Sequence, residues 1–308
     1  MASDFNVSRA TIWKAIKNAE SMGIEIFSVP GRGYKLPSAI IFLEKNKVIE
    51  AIGSACDRFK IEIHPHLDST NSYLMKRAEK DLPGGTCIAA EIQTNGKGRR
   101  GRPWQASLGA SLTFSLLWRF ECGPSALSGL SLAIGVAVIR TFRSLGLEHA
   151  ELKWPNDILI SYQSRYLKLS GILVELQGDM DGTTTAVIGV GVNLDLPDII
   201  KNKIDQPFID WKTAANSKID PNQLLGALLK NMGEILDSFV AIGFDGLKEE
   251  WSTYHAYHNR DVRLIFADNT ELQGVVTGVG GDGFLFVNTH EGIKRFMTGE
   301  ISLREVGY

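Results

Sequence analysis

Four cations and three glycines crowd into one short stretch, Gln93-Thr94-Asn95-Gly96-Lys97-Gly98-Arg99-Arg100-Gly101-Arg102-Pro103-Trp104. Lys97, Arg99, Arg100 and Arg102 repel one another unless an anion or water screens them. Gly96, Gly98 and Gly101 let backbone N–H groups come close to a ligand. A flexible loop closing over a phosphate accounts for both features. A solvated basic loop is the plainer alternative, and the glycine spacing and terminal Pro-Trp weigh against it. Gly96-x-Gly98-x-x-Gly101 also matches the dinucleotide fingerprint, but that motif must open a helix, and Pro103-Trp104 after four charges does so poorly. No Walker sequence occurs.

Four further stretches carry chemistry. In Leu152-Lys153-Trp154-Pro155-Asn156-Asp157, Pro155 ends a strand and leaves Asn156 and Asp157 on a rigid turn, where a carboxylate can hold Mg²⁺ or orient a nucleotide. Asn-Asp after Pro is equally an ordinary turn. Lys168, just before the apolar run Leu169–Glu175, puts a point charge at the edge of a buried site, suited to a substrate carboxylate and a phosphorus under attack. An exposed strand-end lysine is the alternative. Gly189 and Gly191 strip side chains from one strand face, leaving room for a flat ligand or for close sheet packing. Asp68-Ser69-Thr70-Asn71 opens a helix with small hydrogen-bonding side chains, fit for a ureido-like group or for a simple N-cap. His64 and His66 flank Pro65 without further ligand candidates, so no metal site is read there.

These residues need a scaffold, and 308 residues allow a large domain with smaller attachments. Residues 1–38 read as a winged helix-turn-helix remnant: Ser8 caps a helix carrying Ile12, Ala15, Ile16 and Ala19, and a strand-turn-strand wing follows around Pro30–Gly33. Arg9, Lys14 and Lys17 lie on or near the recognition helix, but the earlier supporting helix is missing, which puts DNA binding in question. Residues 39–256 mix strands (Thr86–Ile92, Ser111–Trp118, Glu151–Trp154, Gly171–Glu175, Ala186–Gly191) with helices (Ser69–Glu79, Ser125–Ser144, Asn222–Phe239). A hairpin around 177–182 favours an α+β mixed sheet over a doubly wound one. Residues 257–308 alternate in short strands, as in an SH3-like β-barrel. A net charge of −2 predicts no general affinity for polyanions, so any anion site is local. Three scattered cysteines suggest reduced thiols, Asp4 argues against a signal peptide, and Leu127–Ile139 is too short to span a bilayer. A cytoplasmic protein with no membrane association is expected.

Taken in order, Ser69-Thr70-Asn71, Gly96-to-Trp104, Lys153-to-Asp157, Lys168-to-Leu176 and Gly189-to-Asn193 resemble the bacterial biotin–protein ligase and biotin operon repressor family over nearly the whole chain. The resemblance implies a central domain like that of class II aminoacyl-tRNA synthetases and biotin ligases. It implies that Ser69, Thr70, Asn71 and Gln93 hold the ureido ring of biotin, that Lys97, Gly98 and Arg99 fold over biotin and phosphate, and that Gly171 lies beside them. Trp104, Lys153, Asn156, Asp157 and Asn193 fall to the nucleotide, with Arg102 and Arg304 near the phosphates, Asp157 toward Mg²⁺, and Lys168 between biotin carboxylate and α-phosphate.

The implied reaction consumes biotin and ATP to form biotinyl-5′-AMP, then passes biotin to a lysine of a biotin carboxyl carrier protein; the enzyme mainly positions and stabilises charge. A homodimer and DNA are further partners that the resemblance brings. Lys97 stands where the family usually has Arg, so charge is kept and bidentate bonding lost. A lipoate ligase and a DNA-binding regulator using its ligand only as a signal are the competing readings.

Overall fold

The structure is a computed structural model and describes residues 2–21, 23–36, 39–78, 82–178, 182–266, 268–297 and 301–305. Ser8 Oγ accepts from the Thr11 N–H at 3.1 Å, the expected N-cap, and α1 (Arg9–Ser21) follows. β1 (Phe27–Val29) and β2 (Gly33–Lys35) form the antiparallel wing. Asp4–Asn6 is a turn.

The central domain runs α2 (Lys45–Ile52), β3 (Lys60–His64), α3 (Thr70–Ala78), β4 (Thr86–Ala90), β5 (Gly96–Lys97), β6 (Pro103–Trp104), β7 (Ser111–Phe120), α4 (Leu130–Ser144), β8 (Ala150–Lys153), β9 (Asp157–Tyr162), β10 (Arg165–Gly178), β11 (Thr184–Asn193), α5 (Asp198–Lys201), α6 (Trp211–Ala215), α7 (Pro221–Ile242) and α8 (Lys248–Thr253). Its seven-stranded sheet has the order β3-β4-β7-β11-β10-β9-β8, parallel only between β3 and β4. That is the mixed α+β sheet expected from the sequence. Most of the predicted elements fall within a few residues of the observed ones.

Strand periodicity divides the sheet into two faces. Cys87, Ala89, Leu112, Phe114, Leu116, Ala186 and Ile188 join the main core, where α4 and α7 pack. Ile88, Leu117 and Val187 point the other way and pack with Leu74 and Ala78 of α3. β11 is buried along its whole length, as a strand covered on both faces must be.

Two strands of the seven-stranded sheet were not anticipated. β3 is a short edge strand with a charge in its middle (Glu62), and β9 runs straight on from the Pro155 turn, where a turn alone was read. β9 and β10 join through Gln163 and Ser164, both at positive φ, the two-residue primed turn that suits strand twist. Lys168 therefore lies inside a long strand rather than ahead of one. The expected helix Ser125–Ser144 is broken at Gly129 (φ 81). A Cβ on Gly283 would sit 2.7 Å from Gly129 Cα, so the break is where the C-terminal domain docks. The segment Pro124–Ser144 is long and apolar enough to cross a membrane, but 72% of its apolar window is buried as the core helix.

β12 (Asp261–Phe266), β13 (Glu271–Val279), β14 (Leu285–Thr289), β15 (Gly292–Phe296) and β16 (Ile301–Glu305) make an antiparallel sheet of order β15-β14-β13-β12-β16, the strand set of the expected SH3-like domain. Its 280–283 turn is fastened to the central domain: Trp154 Nε1 donates to Gly283 O at 2.9 Å and Ser128 Oγ to Asp282 O at 2.6 Å. Trp154 is one residue from the Pro155 turn, so this contact also braces the site.

Candidate active site

The floor of the site is the α3 face of β7 and β11. Along β7, Ser111, Thr113 and Ser115 alternate with Leu112, Phe114 and Leu116, so a polar row faces α3 while the apolar row fills the core. Thr113 and Ser115 stand opposite Gly191 and Gly189 of β11. The first turn of α3 lies on this floor. Thr70 donates from N (2.7 Å) and Oγ1 (3.0 Å) to Gln93 Oε1. Ser115 Oγ bonds Thr70 Oγ1 at 2.7 Å and also reaches Asn71 Oδ1, while Asn71 Nδ2 donates to Glu175 Oε2 at 2.9 Å. Ser69, Thr70, Asn71 and Ser115 are all buried, so these bonds are formed in low dielectric and hold each side chain in one orientation.

The opposite end is cationic. Lys168 Nζ lies 2.7 Å from Asp157 Oδ1 and 5.6 Å from the centre of the Trp104 ring. A register shift between Lys168 and Ser170 frees the Lys168 backbone for another partner: its N–H donates to Pro207 O (3.1 Å) and its C=O accepts from Ile209 N (3.0 Å). The lysine is thereby anchored at both backbone groups, and the 205–208 segment comes to the site. Arg99 Nη1 donates to Asn156 Oδ1 at 3.1 Å, and Asn156 Nδ2 to Ile172 O at 2.7 Å. Burial would raise the Asp157 pKa, but Lys168, Lys153 and Arg99 outweigh it and hold the carboxyl below its ordinary range. Burial lowers the Arg99 pKa.

The glycine-cation loop folds as a small ladder, β5 with β6, closed by a turn in which Arg100 (φ 57) and Gly101 (φ 72) are left-handed. It leads into β6 and opens no α-helix, in line with rejecting the dinucleotide reading. Trp104 is laid inward: a Cβ on Gly191 would be 2.5 Å from its Cε2, and one on Gly171 would be 3.3 Å from its Cζ3. A Cβ on Gly189 would be 2.2 Å from Asn71 Oδ1. The space left by the strand glycines is thus filled by Trp104 and Asn71, which favours close packing, the second of the two readings of these glycines. The Trp104 indole N–H is buried without an acceptor among the described residues.

One cavity of about 120 Å³ is lined by every residue that the resemblance assigns to the site except Asn193 and Arg304. Asn193 is buried, with Nδ2 donating to Ile209 O at 3.1 Å, and it lines a neighbouring cavity beside Trp104 and Lys168. The Arg304 side chain lies outside the described residues; its backbone pairs with Arg263, and its neighbour Leu303 reaches the site. Sequence reasoning missed Thr113, Ser115, Glu175 and Gln206. The polar-apolar alternation of β7 was a usable signal for the first two; nothing local marks Gln206, which arrives by tertiary pairing. Asp157 is ringed by cations, and among the described residues no three acidic, His or Cys side chains converge as metal ligands. This donor set offers no all-protein cage for Mg²⁺; Asp157 would hold the ion only together with phosphate oxygens.

Fold and site together define an α+β enzyme with a preorganised polar slot at one end of its cavity and cations at the other. Residues 64–193 match the biotin/lipoate A/B protein ligase family, residues 257–304 the biotin protein ligase C-terminal domain, and residues 1–35 a helix-turn-helix domain. The chain is 36% identical over 304 residues to the bifunctional ligase/repressor BirA of Escherichia coli, covering 99% of this chain and 91% of that one. The Bacillus subtilis protein of the same description is 28% identical, covering 96% and 90%. The biotin protein ligase of Aquifex aeolicus, solved with biotin and ATP, superposes with a TM-score of 0.66 at 27% identity, covering 80% of this chain and 99% of that one. The chain belongs to the bacterial biotin–protein ligase/repressor family.

Proposed function

We propose that this cavity makes biotinyl-5′-AMP from biotin and ATP and then hands biotin to a lysine. The protein is an ATP-dependent biotin–protein ligase. The observation that carries this is one cavity in which a buried amide-and-hydroxyl slot leads to an anchored lysine. The ureido ring of biotin takes the Ser69–Asn71 and Gln93 end beside Gly171. Its carboxylate reaches Lys168 and displaces pyrophosphate from the α-phosphorus. Lys168, Arg99 and Arg102 offset the charge that builds there, while Lys97 and Gly98 close the loop over the adenylate. Lys153, Asn156, Asp157 and Asn193 hold the nucleotide, Trp104 packs its base, and Arg304 lies near the phosphates. Mg²⁺ entering with ATP would add positive charge at the phosphates, with Asp157 the nearest carboxylate to share it.

In the second step the ε-amine of a lysine on a biotin carboxyl carrier protein attacks the mixed anhydride, losing a proton and expelling AMP. Residues 39–256 do this chemistry, and residues 257–308 cover the phosphate end, in the cytoplasm. The test is biotin-dependent exchange of labelled pyrophosphate into ATP. Exchange with biotin and not lipoate is expected; well-folded protein that gives exchange only with lipoate, or none, sinks the reading.

A second role belongs to residues 1–38, favoured by the helix-turn-helix match and by α1 with its wing. A homodimer presents two copies of α1, with Arg9 and Lys14, to DNA, repressing when biotinyl-AMP is bound. Operator affinity that rises with biotinyl-AMP and falls steeply with salt is expected; affinity indifferent to both refutes it.

A further inference from the structure

The buried side chains of Thr70, Asn71 and Ser115 lie within hydrogen-bond reach of one another, and their protons can be counted. Gln93 Oε1 accepts from the Thr70 N–H at 2.7 Å, which fixes the Gln93 amide with its oxygen toward Thr70. The Thr70 hydroxyl, 3.0 Å from that same oxygen, must therefore donate to it. Ser115 Oγ is left facing two acceptors, Thr70 Oγ1 at 2.7 Å and Asn71 Oδ1, with one proton to give. No other donor among the described residues is bonded to either oxygen.

The count depends on which way the Asn71 amide points. Turned over, it would aim its –NH2 at Ser115 and supply the missing proton. Glu175 prevents this: its Oε2 accepts from Asn71 Nδ2 at 2.9 Å, and a carboxylate offers only lone pairs, so the turned amide would set oxygen against oxygen. Leu173 O is a second acceptor for Nδ2, but at 3.4 Å it holds the amide weakly by itself. Glu175 stands opposite Val187 in the β10–β11 ladder, and Val187 packs with Leu74 and Ala78 of α3, so strand alternation aims the carboxylate at that helix. It is half-buried and does not line the cavity.

We propose that Glu175 is a positioning residue that sets specificity: by holding Asn71 as an acceptor, it leaves the buried slot one hydrogen-bond donor short, so the slot takes a ring that brings an N–H. The inference rests on the ligase reading of the cavity and adds a residue which that reading does not use. The ureido ring of biotin carries two N–H groups, and one of them completes the count. The dithiolane ring of lipoate carries none, and it would shut the two oxygens away from water without a second donor, which a buried site penalises. Glu175 acts through Asn71 and touches no ligand.

The experiment is steady-state pyrophosphate exchange on the full chain and on Glu175→Ala and Glu175→Gln. The substrates are biotin and the two cyclic carbamate analogues in which a ring oxygen replaces one or the other ureido N–H. In Glu175→Ala, solvent takes the place of the carboxylate and can donate as well as accept, so the amide is released. The KM for biotin is expected to rise about tenfold, the scale of one misaligned buried hydrogen bond. The kcat and the KM for ATP stay within about twofold of the parental values, a split that general damage to the fold does not give. Glu175→Gln keeps an acceptor oxygen and recovers most of the biotin KM.

The sharper readout is discrimination. The parental protein is expected to reject the more poorly accepted carbamate by about 100-fold or more against biotin. A released Asn71 can turn its –NH2 toward a ring oxygen, so that ratio falls about tenfold in Glu175→Ala. It also falls in Glu175→Gln, whose own amide can turn to match, so the second variant decides if the first does not fold. Discrimination unchanged in whichever variant folds, or equal rises in the KM for biotin and for ATP, overturns the assignment while leaving the ligase reading in place. Absence of biotin-dependent exchange in the parental protein overturns the ligase reading itself, and this inference with it.

Discussion

The two ends of the cavity are built on opposite principles. At the Thr70–Asn71 end, each polar group is buried and already bonded to protein, through Gln93, Ser115 and Glu175. Such a network is rigid, and a ligand must match it as it stands. At the other end, Lys97, Arg100 and Arg102 are exposed on a short ladder closed by left-handed residues. Exposed like charges cost little while screened by water, and they gather only when a polyanion joins them. On the proposed reading, specificity belongs to the end whose polar groups are bonded to one another, and charge stabilisation to the end whose cations face solvent.

Lys168 belongs to neither extreme, since it is anchored by its backbone yet paired with a single carboxylate. Lys168→Ala is expected to cut pyrophosphate exchange by about 100-fold or more, the scale of removing one preorganised charge-stabilising donor. Retained exchange would erase the distinction between the ends, because the reacting centre would no longer lie at their junction.

The rigid end is probed by Gly189→Ala, whose new Cβ lands 2.2 Å from Asn71 Oδ1. Overpacking of this sort costs about 1–3 kcal/mol, so a rise of roughly tenfold in the KM for biotin is expected with little change in the KM for ATP. Equal changes in both would show that the floor serves both substrates.

Acid addresses the frame behind the cationic end. His255 bridges to Leu152, next to Lys153, and burial pushes its pKa down to about 3 from 6.5, with a smaller effect from His258. Between those values the unfolded chain binds a proton that the folded chain refuses. Stability from this group is complete above pH 6.5 and is lost as pH falls toward 3. Melting temperature measured across that range should fall, and His255→Leu should flatten part of the slope. A slope identical in the variant assigns the acid sensitivity elsewhere.

The smallest effect is expected at the exposed loop. Lys97→Arg restores a planar fork without adding charge, so release of biotinyl-AMP should slow by only about two- to fivefold. Followed by stopped-flow fluorescence, a change far larger than this would move Lys97 from the adaptive end to the rigid one.

Much of this was legible in advance where the signal was local. The winged unit, the α+β class and the C-terminal strands each announce themselves through capping, alternation and turn residues. Fourteen of the sixteen site residues line the expected cavity because charge density, glycine spacing and helix caps are written in short windows. The surroundings of Asp157 were not legible: a carboxylate after a proline gives no local sign that Lys168, Lys153 and Arg99 surround it. The strip of Gly189 and Gly191 was correctly read as a place without side chains, but not that Asn71 and Trp104 would cover it.

The sequence by itself determined the chemistry available: which cations, amides and hydroxyls exist, and on which elements they ride. Tertiary structure alone decided their company. The bulge after Lys168 admits the 205–208 segment, α3 lays Asn71 over Gly189, and the docked 280–283 turn brings Arg263 near a strand far away in sequence. Each of these is a contact between distant segments, formed because backbone groups and apolar faces need partners that no local window contains.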